Sequence, residues 1–402
     1  MDRRLFLRGL SALGCSAAAH PFLTTVTLAG SDGGAPLGDR RLIVVILRGA
    51  MDGLDVVRPV DDPDYAALRP SLLGGGAPLP LSGIFALHPA LTDLHALWQA
   101  GEAGFVHAVS TPYRDKRSHF DGQDLLEAGT GMDVGPDARR DGWLNRLLQA
   151  VPGVAVETAF AVGREALPLL AGPAPSLSWT PELKLGLSAQ SRLLLEHIWH
   201  DDPLFRDSGL AALHLAAGTD AAALAEGRMA AGAERGMAEV DGLVDFAAGK
   251  LRAATRIAAF SLSGWDTHRG QEAAIRGPLL RLERIVLRMK EMLGPEVWGQ
   301  TALLAMTEFG RTVRENGSRG TDHGTGGVML TAGGALRGGQ VFGRWPGLAE
   351  DALYDRRDLM PTSDVRAWAA WVMAGLYGLD RGVLERAVFP GLEMGGDPGL
   401  VR

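Results

Sequence analysis

The fragment Gly264-Trp265-Asp266-Thr267-His268 closes an apolar run, with one residue between its carboxylate and its imidazole. On extended backbone alternate side chains share a face, so an Asp266 oxygen and a His268 nitrogen can reach one cation. Three other apolar runs give way to polar residues in a comparable manner. In "LRGAMDGLD" glycines 49 and 53 flank Asp52, with Arg48 and Asp55 close by. In "MTEFGRT" Glu308 stands where the run ends, followed by Gly310 and Arg311. In "STPYRDKRSHFDGQD" Ser118 precedes a helical pattern with Asp121 three residues on. Such a serine either caps the helix or acts as a nucleophile, its developing charge met by free N–H groups, a metal and the cations Arg114, Lys116 and Arg117. A fifth segment, "GSRGTDHGTGG", holds Asp322 and His323 in a glycine-rich loop, a poor place to bury a histidine for packing.

Asp52, Asp266, His268, Glu308 and His323 together supply three carboxylates and two imidazoles. With the hydroxyl of Ser118 they suit one or two cations of the Zn²⁺, Mn²⁺, Mg²⁺ or Ca²⁺ kind and hydrolysis of a tetrahedral ester. Simpler roles stay open: Asp52 as a turn residue, Ser118 as a cap alone, His119 as a packed ring, and Asp266 and His268 as local hydrogen-bonding groups.

Positioning these groups requires strands that end at one rim. Apolar runs at 41–49, 104–110, 158–163, 256–264, 301–308 and 327–334 predict strands, mostly continuous rather than alternating, as expected when helices cover both faces. Helical patterns lie between them at 89–100, 118–128, 141–150, 188–201, 208–252, 271–293 and 363–388. The alternation predicts an α/β fold with a doubly wound, mostly parallel sheet over residues 38–402. The Ala-rich block at 188–252 is expected to form a helical cap. Ligands of such sheets bind beyond the carboxyl ends of the strands, where the five segments fall.

The composition excludes several classes. A net charge of −7, with no long basic run, argues against nucleic acid. A single cysteine, Cys15, rules out an intrachain disulfide and a thiolate metal cluster. No glycine fingerprint for a dinucleotide follows the first strand. No run after the N-terminus reaches the ~18 uncharged residues that a spanning helix needs. The opening "MDRRLFLRGLSALGCSAAA" pairs Arg3 with Arg4 ahead of a weakly apolar stretch and an A-x-A-like site. It resembles a twin-arginine export signal, so residues 1–37 are expected to serve as signal and linker. The export machinery is then a partner, and the mature protein periplasmic or secreted.

In order, the twin-arginine start, "LRGAMDGLD", "RSHFDGQ", "GWDTH", "TEFGRT" and "DHGTGG" resemble the family called domain of unknown function 1501, over nearly the whole chain. That family looks like a distant branch of the alkaline phosphatase and sulfatase superfamily, which includes cofactor-independent phosphoglycerate mutases. The resemblance implies Asp52 as first-strand metal ligand and Ser118 as nucleophile. It implies Asp266, His268 and His323 as ligands of one metal, and Glu308 in place of a ligand aspartate, with nearby arginines such as Arg48 and Arg117 neutralising the ester. Two positions depart from the pattern. Phe309 stands where the superfamily has a second-metal histidine, and the Asp266–His268 spacing is shorter than Asp-x-x-x-His. The expected activity is metal-dependent hydrolysis of a small phosphate or sulfate ester; the alternative is a cell-envelope binding or scaffolding protein that keeps the fold.

Overall fold

The computed structural model describes residues 37–402 except 115, 134–140, 164–166 and 180–231. The expected signal segment, and the cap region up to residue 231, lie outside the described residues.

Among the described residues the central sheet holds nine strands: β1 (Arg41–Arg48), β2 (Ala103–Ser110), β3 (Ala159–Val162), β4 (Leu177–Trp179), β5 (Ile257–Ser263), β6 (Thr301–Met306), β7 (Gly327–Ala332), β8 (Val341–Phe342) and β9 (Ser363–Asp364). Their order is β8-β2-β7-β6-β1-β5-β3-β4, with β9 also pairing β2. β1 lies at the centre, parallel to both neighbours, with Arg48 opposite Ser263 of β5 and Ile46 opposite Met306 of β6. These three strands therefore stop at one rim. All six strands predicted from the sequence are present, within about two residues of their expected limits. The three further strands are two or three residues long, too short to show a pattern.

β1 shows why the sheet needs two cores. Leu42, Val44 and Ile46 point into one apolar cluster, Ile43, Val45 and Leu47 into the other, and all six are buried. On the first face lie α3 (Trp143–Ala150) and α6 (Val365–Tyr377). On the second lie α1 (Thr92–Gln99), α4 (Gly232–Leu251) and α5 (Arg276–Gly299). A further helix, α2 (His119–Ala128), leads away from the rim. The pattern read as one helix over 363–388 stops first at Tyr377, where Gly378 adopts a left-handed φ of 65° and caps α6. Paired ions fasten α4 to α5: Arg284 to Asp241 and Arg288 to Asp245, each through two hydrogen bonds.

Among the described residues β7 is the one strand of the long sheet that runs against its neighbours, antiparallel to both β6 and β2. The loop before it, which carries Asp322 and His323, therefore sits on the rim that the parallel strands reach at their carboxyl ends.

Candidate functional site

Three imidazoles and one carboxylate converge at this rim. Asp266 Oδ1 lies 3.0 Å from His268 Nε2, 3.4 Å from His323 Nε2 and 3.5 Å from His119 Nε2. His268 Nε2 and His323 Nε2 are 3.0 Å apart. Ligands about 2 Å from a tetrahedral zinc would stand about 3.3 Å from one another; His119, Asp266 and His323, whose ligand atoms all lie within 4.8 Å of one another, form the set that could hold one cation, with His268 beside it.

Each ring is turned by a partner that can only accept. Glu308 Oε1 takes the His119 Nδ1–H at 2.8 Å, the Arg117 carbonyl takes that of His323 at 2.8 Å, and Asp322 Oδ1 takes that of His268 at 3.1 Å. The proton is thereby assigned to Nδ1 in all three, leaving three Nε2 lone pairs aimed at one another and at a carboxylate. Acceptors brought this close repel unless positive charge adjoins them; the Arg311 guanidinium reaches Asp266 Oδ1 at 2.5 Å and His268 Nε2 at 3.4 Å, while the nitrogens of His119 and His323 have no such cation among the described residues. His119 Nε2 is moreover buried with no hydrogen-bond partner. This donor set suits a divalent metal, and a ligand histidine held through its other nitrogen by a carboxylate or carbonyl is how proteins orient such ligands.

The surroundings explain how the sequence builds this. Glu308 is fully buried, and its Oε1 also accepts from the Gly49 and Ala50 amides at 3.0 and 3.1 Å and from Gln123 Nε2 at 3.1 Å. Burial alone would push the Glu308 carboxyl up, but the His119, Gln123 and backbone donors hold it below its ordinary value. The same hydrogen bond raises His119, the first cause of its upward shift, whereas burial lowers His323. Gly49 cannot be replaced without strain: its φ is +113°, and a Cβ would meet the Asp266 amide nitrogen at 2.7 Å. Arg117 takes a left-handed φ of 51° at the turn whose carbonyl holds His323, a conformation non-glycine residues seldom adopt.

Arg311 closes the site from beneath. Its buried guanidinium donates to the carbonyls of Ala50, Gly49 and Thr321 and to Asp266 Oδ1 at 2.5 Å. Burial would raise the Asp266 carboxyl; Arg311 beside it, with the imidazoles of His268 and His119, holds it down. Phe309 stacks on His119, with ring centres 5.3 Å apart, and forms an apolar wall behind the imidazoles.

Residues 85–367 match the family described as "Protein of unknown function (DUF1501)". The chain belongs to this family. Among solved structures, this DUF1501 chain is similar to the PsFucS1 sulfatase from Pseudoalteromonas sp., with 13% identity, a TM-score of 0.40, and 90% of this chain and 73% of that one covered. It is also similar to a mutant of TAB5 alkaline phosphatase with magnesium bound, with 14% identity, a TM-score of 0.32, and coverage of 77% and 91%. No curated protein matches it.

Of the residues singled out from the sequence of this DUF1501 chain, Asp266, His268 and His323 meet directly. Glu308, expected to bind a cation itself, stands one step back and orients His119. Arg117 contributes its carbonyl to the cluster, and its side chain, 39% exposed, lies 3.9 Å from Asp358. Arg48 stands farther back: it donates to Gln123 Oε1 at 2.9 Å and pairs with Glu127 at 2.7 Å, tying α2 to β1. Ser118 is the N-cap of α2, its oxygen accepting from the Asp121 amide at 3.4 Å. Asp52 lies outside the cluster. Both its oxygens are engaged, Oδ1 by the Leu54 amide and Oδ2 by buried Arg69 at 2.7 Å and Gln271 at 2.6 Å, so it holds the fold rather than facing the imidazoles. In the sequence Arg311 stands out only as a neighbour of Glu308, and His119 could equally be a site residue or a packed ring. The signal for His119 was its place directly after the cap serine, at the mouth of a helix that starts on the rim.

Proposed function

We propose that this chain is an exported, metal-dependent hydrolase of phosphate or sulfate esters, built around one cation. The observation that carries the reading is the meeting of His119 Nε2, His323 Nε2 and Asp266 Oδ1 within 4.8 Å of one another, with His268 Nε2 3.0 Å from that same oxygen and each ring fixed through Nδ1. His119, Asp266, His268 and His323 would hold the ion, which when bound supplies Lewis acidity at a phosphoryl or sulfuryl oxygen. The chain's own groups do the rest. Glu308 keeps His119 in the ligating tautomer, and Arg311 brings a desolvated positive charge to where the ester's oxygens gather. Arg117, half-exposed on the preceding turn, meets an anion arriving from solvent. Ser118 is the nucleophile of this reading: capping uses its oxygen only as acceptor, and its O–H faces the Tyr113 phenol oxygen, which also accepts from the Ser118 amide at 2.8 Å. Export rests on the paired Arg3 and Arg4 and places the activity in the periplasm or outside the cell. No helix among the described residues is long and apolar enough to cross a membrane.

Buried Phe309, packed on His119 and Tyr113, favours a second reading, a binding or scaffolding protein that keeps a single structural ion. Elemental mass spectrometry of the purified chain, with turnover of aryl phosphate and aryl sulfate, separates the two. The hydrolase reading expects bound metal that His323→Ala removes, and turnover that both His323→Ala and Ser118→Ala abolish. Metal-loaded protein that hydrolyses neither ester supports the second reading; protein that takes up no metal sinks both.

A further inference from the structure

A cavity of about 420 Å³ lies beside the histidine cluster, in the size range of small-ligand sites. Its floor is aliphatic, formed by Leu68, Val313, Leu348 and Leu353. Its rim mixes acids with arginines, and most of these already have partners. Glu315 accepts from the Ser71 amide and hydroxyl at 3.0 and 2.8 Å, Arg356 pairs with Glu350 at 3.6 Å, and Arg357 with Asp358 at 2.9 Å. Two do not. Asp64 is half-buried and precedes a short helix without capping it, and Arg314 has no ion pair among the described residues.

The wall between cavity and cluster is one residue thick. Asp322 lines the cavity, and its Oδ1 holds His268. Asn316 lines it too and donates to that same oxygen at 3.0 Å. Arg357, a third lining residue, donates to the His323 carbonyl at 3.0 Å. Whatever occupies this space therefore lies against the groups that set two of the imidazoles.

The chemistry of the free groups selects the occupant. A carboxylate only accepts and a guanidinium only donates, so Asp64 and Arg314 together call for a ligand offering both hydroxyl hydrogens and hydroxyl oxygens. A ligand with a net charge of either sign would meet repulsion on one side. The aliphatic floor adds a flat apolar face to cover. We propose that this cavity binds a neutral sugar ring, the alcohol half of the ester, with its hydroxyls spanning Asp64 and Arg314 and its C–H face on the leucines. The role as ester half rests on the hydrolase reading, whereas the affinity for a sugar does not.

Saturation-transfer NMR on the full chain with uncharged methyl glycosides, and cyclohexanol as an apolar control, tests the binding. Glycosides should receive saturation where cyclohexanol does not, and Asp64→Asn and Arg314→Gln should each weaken binding about tenfold, as expected for loss of one hydrogen bond to a charged group. Metal content should stay constant. A sugar phosphate or sulfate should then be turned over with lower KM than the aryl ester, an advantage that both variants reduce through KM. Absence of glycoside saturation, or saturation that neither variant reduces, overturns the sugar site even if aryl esters are hydrolysed. Variant-sensitive glycoside binding in a chain that hydrolyses no ester supports the sugar site and removes the hydrolase reading instead.

Discussion

Asp52 and Asp266 follow neighbouring strands, β1 and β5, and stand on one rim of the sheet, yet their carboxylates are used differently. Asp52 is 1% exposed and locked into Arg69, Gln271 and the Leu54 amide. The Asp266 side chain is 48% exposed and faces three imidazole nitrogens, one of them without a hydrogen-bond partner. The histidines divide the same way. In buried His107, Nε2 donates to the Val57 carbonyl at 2.9 Å and Nδ1 accepts from the Ala108 amide at 2.9 Å, so nothing is left over. In His119 only Nδ1 is used. Position at the end of a strand thus does not separate a structural acid from one available to a ligand; what separates them is whether lone pairs remain uncommitted.

The largest effect should come from the satisfied region. Asp52→Ala would strand the Arg69 guanidinium in the interior, where breaking a buried pair costs about 3–5 kcal/mol. Urea unfolding should register that loss, and the fraction that still folds should keep its metal. Loss of metal at unchanged stability would place Asp52 with the cluster and dissolve the contrast.

His107 gives the next largest effect, through pH. Burial lowers its pKa to about 4 from 6.5, so the unfolded chain takes up this proton first. Stability is complete above pH 6.5, falls as pH drops from 6.5 to 4, and levels off below, a total of about 3 kcal/mol from this group. A second ring proton would also point a donor at the Ala108 N–H, which already donates to Nδ1. Burial lowers His88 to about 4 as well, so urea midpoints between pH 4 and 7 should show the slope of both rings, and His107→Gln should reduce it by about half; an unchanged slope would mean that His107 is not what titrates.

Glu308→Gln probes the junction between the regions, because Glu308 is as buried as Asp52 yet serves the cluster. An amide in place of the carboxylate weakens the grip on the His119 Nδ1–H, and loss of such an orienting partner typically lowers metal affinity 10–100-fold. A competition assay with a coloured chelator measures this directly. Affinity equal to wild type would make Glu308 a folding residue alone.

How much of this was legible from the chain follows from the same distinction. Continuous apolar runs such as "RLIVVILRG" announce buried strands, and the motifs at their ends announce the rim, because both are local patterns. The direction of β7 was not legible, since periodicity is blind to strand sense. Neither was the pairing of Asp52 with Arg69, which a long-range fold brings together, nor the turn of His119 by a carboxylate 189 residues away. Sequence spacing shows which groups reach the rim but not which lone pairs are already spent there.

Ser118 carries the smallest effect on stability and the sharpest test of chemistry. As N-cap of α2 it satisfies one amide at the helix start, and Ser118→Ala should cost about 1 kcal/mol. That change alone cannot tell capping from nucleophilic attack, because a frayed first turn would also displace His119, the next residue. Asparagine caps as well as serine, yet its amide cannot attack phosphorus or sulfur. Ser118→Asn should therefore melt with wild-type and bind metal normally while hydrolysing no ester. If it retains turnover, the hydroxyl only caps, and the attacking group must be sought elsewhere at the rim.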